Sequence, residues 1–489
     1  MKQPVEKNMT LDVTIMDLTY EGFGVAKVDG FPIFIENALP EEEISIQIVK
    51  VLKKFAFGKV LEFKKESVDR VPLTDAVGTR VGTMPLQHMA YPLQLSFKRQ
   101  QVIDSLTKVM DIDGIEILET QGMDNPWEYR NKAQVPVRMV NGVLETGFFK
   151  RGSHDFVPVE NFHIQDPKID EAIIIIRNIL RDLEIPAYDE KKHKGIIRHV
   201  MVRRGYYTGE VMVILVTNVK DFENLDVLTE RIMAEVPGIV SLVQNMNMKQ
   251  TNVILGRKTR VLSGEDFYRD ELMGKTFNIS SHSFYQVNPR QTEHLYQTAI
   301  DLANVTDTDT VVDAYCGIGT ISLSLAQSAK HVYGMDIIGD AITMARKNAE
   351  ENNIKNATFE AGPAEDVLKF WLNEGLVIDV LVVDPPRKGL DPEFIEHALN
   401  SNPERIVYVS CNPATLARDL VLLQEGGYKV ESVQPVEMFP QTTHVETVCL
   451  LTRKYMYKPL RIAYLRCFQG FVYFLMAGKV MDFGCVLRE

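Results

Sequence analysis

VVDAYCGIGTISLSLA, residues 311–326, decides how the C-terminal half of this chain is read. An apolar, β-branched run ends in Asp313, a loop carries Gly317 and Gly319, and a helical pattern follows. That is the strand–loop–helix opening of an α/β sheet, whose ligands bind beyond the carboxyl ends of its strands. Glycine at such a loop lets a ligand approach the backbone closely. Seventeen residues past Gly319, a second strand, HVYGMDI, reaches Asp336. An acid there is placed to accept hydrogen bonds from two ribose hydroxyls. A glycine loop alone is a weak sign, and a purely structural turn is the alternative.

Working outward, helix and strand alternate from about residue 290. QTEHLYQTAIDLANV is helical and TVVDAY a strand; ISLSLAQSA is helical and HVYGMDI a strand; DAITMARKNAEENN is helical and ATFEAG a strand. DVLVVDPP, RIVYVSC and TVCLLTRK add three more strands, which predicts a doubly wound, Rossmann-like α/β sheet. Upstream, residues 9–64 read as short strands punctuated by Gly22, Gly24, Gly30 and Gly58, the pattern of a small β-barrel. Residues 95–285 look α+β, with strands such as VMVILVT and TNVILG and the helical IDEAIIIIRNILRDL. The expected organisation is a barrel over 5–64, a central α+β domain over 65–285, the Rossmann-like domain over 286–454, and a C-terminal extension of unknown role over 455–489.

The chain has 489 residues, 45% hydrophobic and 25% charged, as in an ordinary water-soluble globular protein. Its five cysteines all lie beyond residue 315, which is no disulfide framework and points to a reducing, cytoplasmic setting. MKQPVEKNMT has no apolar core for a signal peptide, and no run reaches the roughly 18 apolar residues of a spanning helix. The net charge of -12 argues against a polyanionic partner only on average. Residues 50–65, KVLKKFAFGKVLEFKK, carry six lysines against one glutamate, and residues 191–204, KKHKGIIRHVMVRR, carry six cations and no acid. Arg130, Lys132, Arg138, Lys150 and Arg151 form a third basic stretch, and residues 249–260 a fourth. Four such runs bring nucleic acid into play.

Three strand ends, Asp313, Asp384 and Cys411, converge on one crevice, and a further motif precedes the last strand. VVDPPRKGL places Asp384 before two prolines, which stiffen the loop and remove two backbone donors. RIVYVSCNPATLARDL places Cys411 where a strand ends and a turn begins, followed by Asn412 and Pro413; a free thiol has a pKa of about 8.5 and needs a site that favours the thiolate. FPQTTHVETVCLL places His444 and Glu446 before the last strand, where Glu446 faces the crevice if that strand joins the same sheet. Cys449 and Cys316 suit packing roles, although Cys316 is a rival nucleophile.

The D-x-x-x-G-x-G loop resembles the S-adenosylmethionine (SAM) site of Rossmann-like methyltransferases more than a dinucleotide site. Beyond it, SFYQVNP (283–289), DAYCGIGT, DPPRKGL, SCNPATLARDL and HVETV occur in the order seen in the RNA uridine-5-methyltransferase family, and DLTYEGFGVAKVDGFPIFIENALPE (17–41) resembles the TRAM domain, an OB-like RNA-binding barrel. The resemblance spans residues 5–454. It implies that Cys411 is the nucleophile that attacks carbon 6 of uracil, that Glu446 is the base that removes the carbon 5 proton, and that Gln286, Tyr315, Asp336 and Asp384 contact SAM. Arg387 is the candidate for steadying the enolate oxygen.

The barrel and the length resemble the enzymes for 23S ribosomal RNA, including a Gram-positive type that modifies two sites. The alternatives are a tRNA T-loop methyltransferase, or a non-catalytic RNA-binding or chaperone protein; the four intact motif residues Gln286, Asp384, Cys411 and Glu446 argue against decay. A looped or flipped uridine is the implied target, and the chain is expected to act as a monomer, with no membrane and no stable protein partner. Many relatives hold an iron–sulfur cluster through a C-G-G-C stretch. Here RVGTMPLQHMAY stands in that place, with Val81 and Met84 where thiolates would be. No cluster and no other metal is expected.

Overall fold

The computed structural model describes residues 3–454 and the backbone of a short strand pair, Phe474–Met476 and Lys479–Met481. The remainder of the proposed C-terminal extension lies outside the described residues.

The N-terminal strands β1 (Thr10–Thr14), β2 (Asp17–Leu18), β3 (Gly24–Val28), β4 (Phe31–Ile35), β5 (Glu43–Val51) and β6 (Ala56–Lys65) pair in the order β1-β5-β6-β4-β3-β2. Their inward residues alternate with outward ones, as the period-2 pleat dictates. Ile15, Ala26, Ile33, Ile35, Ile44, Ile46, Ile48 and Ala56 close a barrel interior that excludes water.

A short helix α1 (Ala76–Val81) follows, then α2 (Tyr91–Thr107) and β7 (Glu116–Ile117). Although sequence pattern groups these two with the central stretch, α2 packs on the C-terminal sheet and β7 pairs with its edge strand. The central sheet runs through β8 (Lys132–Val140), β9 (Val143–Phe149), β10 (Phe156–Pro158), β11 (Ile197–Arg204), β12 (Val211–Thr217), β13 (Ile239–Met246) and β14 (Lys258–Gly264) in the order β10-β9-β8-β11-β12-β13-β14. The helices α3 (Pro167–Asp182) and α4 (Leu225–Glu235) cover one face of it. Ile169, Ile173, Ile176 and Leu180 repeat at helical spacing and are buried there.

TNVILG, expected as a strand, is a loop, and the strand of this region is β14 instead. Side-chain amides capture its backbone: Asn247 Nδ2 donates to the carbonyls of Val253 and Ile254 (2.7 and 3.0 Å), and Gly256 N donates to Asn245 Oδ1 (2.6 Å). Local side-chain bonds of this kind compete with a ladder for the same groups.

The hairpin β15 (Phe267–Leu272) and β16 (Lys275–Ser280) leads into the C-terminal layer. There α5 (Pro289–Ala303), β17 (Thr310–Ala314), α6 (Thr320–Leu325), β18 (His331–Asp336), α7 (Gly339–Glu351), β19 (Ala357–Ala361), α8 (Ala364–Asn373), β20 (Val380–Val383), α9 (Pro392–Ser401), β21 (Arg405–Ser410), α10 (Pro413–Glu425), β22 (Tyr428–Val436) and β23 (Glu446–Arg453) build one sheet in the order β19-β18-β17-β20-β21-β23-β22-β7. Strands β19 to β21 are parallel, and β23 enters antiparallel between β21 and β22. Apolar cores cover both faces. The topological switch point lies between β17 and β20, the place where open α/β sheets bind ligands. Among the described residues no helix is long and apolar enough to cross a membrane.

Candidate active site

Strand β17 stops at Ala314 because the next residues leave extended geometry. Tyr315 has φ +70°, Gly317 +56° and Gly319 +87°. At Gly319 a Cβ would also press on the Phe359 ring at 3.3 Å, so glycine serves both the turn and the close packing. Asp336, at the end of the neighbouring strand, locks this loop: one carboxylate oxygen accepts from Gly317 N (3.1 Å) and the other from Ile338 N (2.8 Å). The resulting crevice is lined by Tyr315, Cys316 and Gly317 together with Tyr285, Tyr296, Asp313 and Asp384.

Its electrostatics are set by buried carboxyls. Burial pushes Asp313 and Asp384 up to about 7, and the Asp313 charge adds to the rise at Asp384. Asp313 Oδ1 has no hydrogen-bond partner among the described residues, which leaves an acceptor free inside the crevice. A glycine loop, an acid at the second strand end and a buried carboxyl with a spare oxygen fit a ligand that carries a ribose and a cationic centre. Gln286 is buried in the segment before α5, its backbone carbonyl accepting from Asn131 Nδ2 (3.1 Å).

On the next strand pair, Cys411 and Glu446 come together. The β21–β23 ladder ends at the Ser410–Thr447 pair; Cys411 and Glu446 are the next residues on the two chains, near enough for the Glu446 charge to act on the thiol. Glu446 is 4% exposed. Burial, then the charge of Asp384, holds its carboxyl well above the usual range, with Arg387 pulling the other way. Cys411 is half-buried, and its thiol is pushed up to about 11 by burial first, then by Glu446 and Asp384, against Arg387. The helix behind it starts cleanly: Asn412 caps α10 through Ala414 N (3.1 Å), and Pro413 occupies the first turn. Cys316 and Cys449 are buried within the two cores and held above the ordinary thiol range by burial.

Cys411, Arg387 and His444 open into a cleft of about 680 Å³. Its opposite walls come from Tyr20 and Glu21 of the barrel, Gly82 and Thr83 of the following segment, and Arg130, Lys132 and Arg151 of the central region. Lys132 has its ammonium pulled down to about 7, by burial first and then by Arg203 and Arg130. Such a site favours an incoming anion.

In the segment 75–89, Val81 and Met84 pack with Tyr129, Val157, Phe162 and Ile164. Asp75 caps α1, and Gln87 Nε2 ties the loop by donating to Thr79 Oγ1 (2.6 Å). Two thioether and alkyl side chains in a closed apolar cluster do not fit an iron–sulfur cluster.

Sequence pattern gave no sign of how the 437–445 loop is fixed. Lys98 on α2 reaches Glu437 and the Phe439 carbonyl (3.0 Å), and both charged side chains are fully buried. Gln94 Nε2 donates to Gln441 Oε1 (2.9 Å), Tyr129 to the Pro440 carbonyl (3.0 Å) and Asn288 to the Met438 carbonyl (3.0 Å). The only local clue is an acid, Glu437, inside the apolar run PVEMF.

Residues 90–454 match the family described as tRNA (Uracil-5-)-methyltransferase, and residues 4–61 match the TRAM domain. An RNA methyltransferase of Enterococcus faecalis, itself named as uncharacterized, is 52% identical over 92% of this chain and 98% of its own length. One from Lactiplantibacillus plantarum, named likewise, is 54% identical over 92% and 99%. Among solved structures, the Pyrococcus abyssi tRNA (uracil-54, C5)-methyltransferase in complex with S-adenosyl-L-homocysteine superposes with a TM-score of 0.72 at 27% identity. That match covers 90% of this chain and 99% of the other.

Proposed function

From the premise that this chain belongs to the tRNA (uracil-5-)-methyltransferase family, with a TRAM domain and SAM as methyl donor, we propose that it methylates carbon 5 of specific uridines in 23S ribosomal RNA. The observation that supports this reading is a half-buried thiol, Cys411, that opens into a basic cleft and feels the charge of a buried carboxyl, Glu446.

Carbon 5 of uracil is a weak nucleophile. SAM, when bound, supplies an electrophilic methyl group. The Cys411 thiolate adds to carbon 6, and the ring electrons move to give an enolate, whose oxygen Arg387 steadies. Carbon 5, now nucleophilic, takes the methyl group as its bond to the sulfonium sulfur breaks, and a neutral thioether leaves. Glu446 then removes the carbon 5 proton, the C6–S bond breaks, and the thiolate is released. Gln286, Tyr315, Asp336 and Asp384 form the SAM side of the site. Duplex bases cannot reach a thiol at this depth, so the uridine is looped or flipped out. The protein acts as a monomer in the cytoplasm.

A second reading, a tRNA T-loop substrate, is favoured by the Pyrococcus abyssi relative, whose name specifies tRNA and which covers 90% of this chain. One experiment separates them. Unmodified 23S RNA and unmodified tRNA are each incubated with radiolabelled SAM and digested to nucleosides. Label in 5-methyluridine from 23S RNA is the expected result, and mapping counts the sites. Label from tRNA alone overturns the substrate; label from neither overturns the reading.

Glu446→Gln tests the base. The variant is expected to transfer the methyl group once and then stall as a covalent protein–RNA adduct that survives denaturing electrophoresis. Normal turnover with no adduct would remove Glu446 from that role.

A further inference from the structure

The outer face of the barrel carries four phenylalanines that the interior does not use. Strand alternation turns Gly24, Ala26, Ile33, Ile35, Ala56 and Gly58 inward. It turns Phe23, Phe34, Phe55 and Phe57 outward, each half-buried. Register makes them one group, since Phe34 pairs directly with Phe57 across β4 and β6. Their ring centroids lie 5.0 Å apart for Phe34 and Phe55, 5.5 Å for Phe55 and Phe57, 6.1 Å for Phe34 and Phe57, and 6.2 Å for Phe23 and Phe57.

Two observations say what covers this group. The first is charge. The β5–β6 turn beside it presents Lys53 and Lys54, and Lys59 follows on the same outward face of β6. All three are exposed, and among the described residues none is paired with a carboxylate. The second is continuity with the candidate active site. The Arg151 guanidinium sits over the Phe23 ring, 5.1 Å from its centroid, and Arg151 also lines the cleft into which Cys411 opens. Long ion pairs to Glu21 (3.9 Å) and Glu36 (3.7 Å) hold it loosely at that junction.

We propose that the Phe23–Phe34–Phe55–Phe57 face is a stacking platform for unpaired bases of the RNA strand that flanks the target uridine, with Lys53, Lys54 and Lys59 contacting its phosphates. The proposal rests on the RNA-methyltransferase reading and adds which part of the substrate the barrel holds. Aromatic faces accept any unstacked base, whereas the bases of a duplex are unavailable to them. Substrate choice is then shared: the deep cleft selects the uridine, and the platform requires a single-stranded neighbour.

The test uses the full chain and two double variants. Phe55→Leu with Phe57→Leu keeps apolar volume but removes the π faces; Lys53→Glu with Lys54→Glu alters only an exposed turn. Affinity is measured for an oligouridine of about twelve nucleotides and for an RNA duplex of equal length, a span suited to one such barrel. Methylation is measured on a short hairpin and on the same hairpin with a single-stranded extension. The leucine variant is expected to lose roughly tenfold or more in oligouridine affinity, as one lost base stack implies. It should raise KM for the extended hairpin by a similar factor, with kcat and melting temperature held. The glutamate variant should flatten the salt dependence of oligouridine binding by about 1.4 in logarithmic slope, two phosphate contacts at about 0.7 each.

Oligouridine affinity unchanged in both variants overturns the platform. So does an equal loss for duplex and single strand, which would mean phosphate contact alone. A dimer of the wild-type chain that the leucine variant abolishes would assign the face to a second copy. Absence of 5-methyluridine from every RNA fails the underlying reading instead, and is distinguishable because oligouridine binding is scored without turnover.

Discussion

Cys411→Ala is expected to lower methyl transfer by at least about 10⁴-fold, because the residual groups cannot raise electron density at carbon 5 without a bond at carbon 6. SAM affinity should be retained, since the glycine loop, Asp336 and Asp384 are untouched. The wild-type rate should also depend on pH in a specific way. The free site holds the thiol at about 11, so only a small fraction is thiolate near neutrality. Raising the pH populates it, and adduct formation should climb by about tenfold per unit through the range below that value. A flat profile over pH 7–9 would mean that RNA binding itself brings the thiol down. Substantial methylation by Cys411→Ala, measured as 5-methyluridine under single-turnover conditions, would end the nucleophile assignment.

The second large effect is on stability. Lys98 and Glu437 stand 339 positions apart, and both side chains are completely removed from water. Burial lowers the ammonium and raises the carboxyl; their mutual attraction opposes this, and the Phe439 N–H donated to Glu437 adds to that opposition on the carboxyl side. Removing one partner leaves the other charge uncompensated, so Lys98→Met is expected to cost about 3–5 kcal/mol. Lys98→Met with Glu437→Leu should recover most of that loss, because an apolar pair of similar volume tolerates the same site. Urea unfolding with the slope held constant gives both numbers, and the double-mutant cycle isolates the coupling. A single-variant cost under about 1 kcal/mol would show that the pair does not hold the 437–445 loop.

What was legible in the sequence was local. Cys411 follows the buried run IVYVS and precedes Asn-Pro, a strand end and a turn spelled out in consecutive residues, although the helix that Asn412 caps was not read there. The glycine loop was legible for the same reason; the structure adds that Tyr315 joins the two glycines at positive φ and that Asp336 locks the loop through Gly317 N. TNVILG was misread because an apolar run looks the same whether its carbonyls meet a neighbouring strand or the amides of Asn247. Long-range partnership was illegible altogether. Neither the helix YPLQLSFKRQ nor the segment PVEMF names its partner, and β7 gives no sign that it closes an edge of a sheet whose first strand begins nearly two hundred residues later.

The antiparallel entry of β23 has a consequence for how this enzyme can vary. Because Cys411 and Glu446 are the residues just beyond the Ser410–Thr447 pair that ends the ladder, their separation follows its register more than the length of chain between them. Helix α10, strand β22 and the loop after it form an excursion that leaves from one side of the pair and returns to the other. Insertions at the Gly426–Gly427 turn are expected to leave the chemical step unaltered, whereas the 437–445 loop, pinned by buried bonds and lining the cleft, does not share that freedom. A slip of one residue in the ladder, by contrast, would exchange Glu446 for Val445 or Thr447 and leave no intermediate geometry. The reaction centre behaves as a toothed joint: it tolerates change in the arm but admits no fractional step.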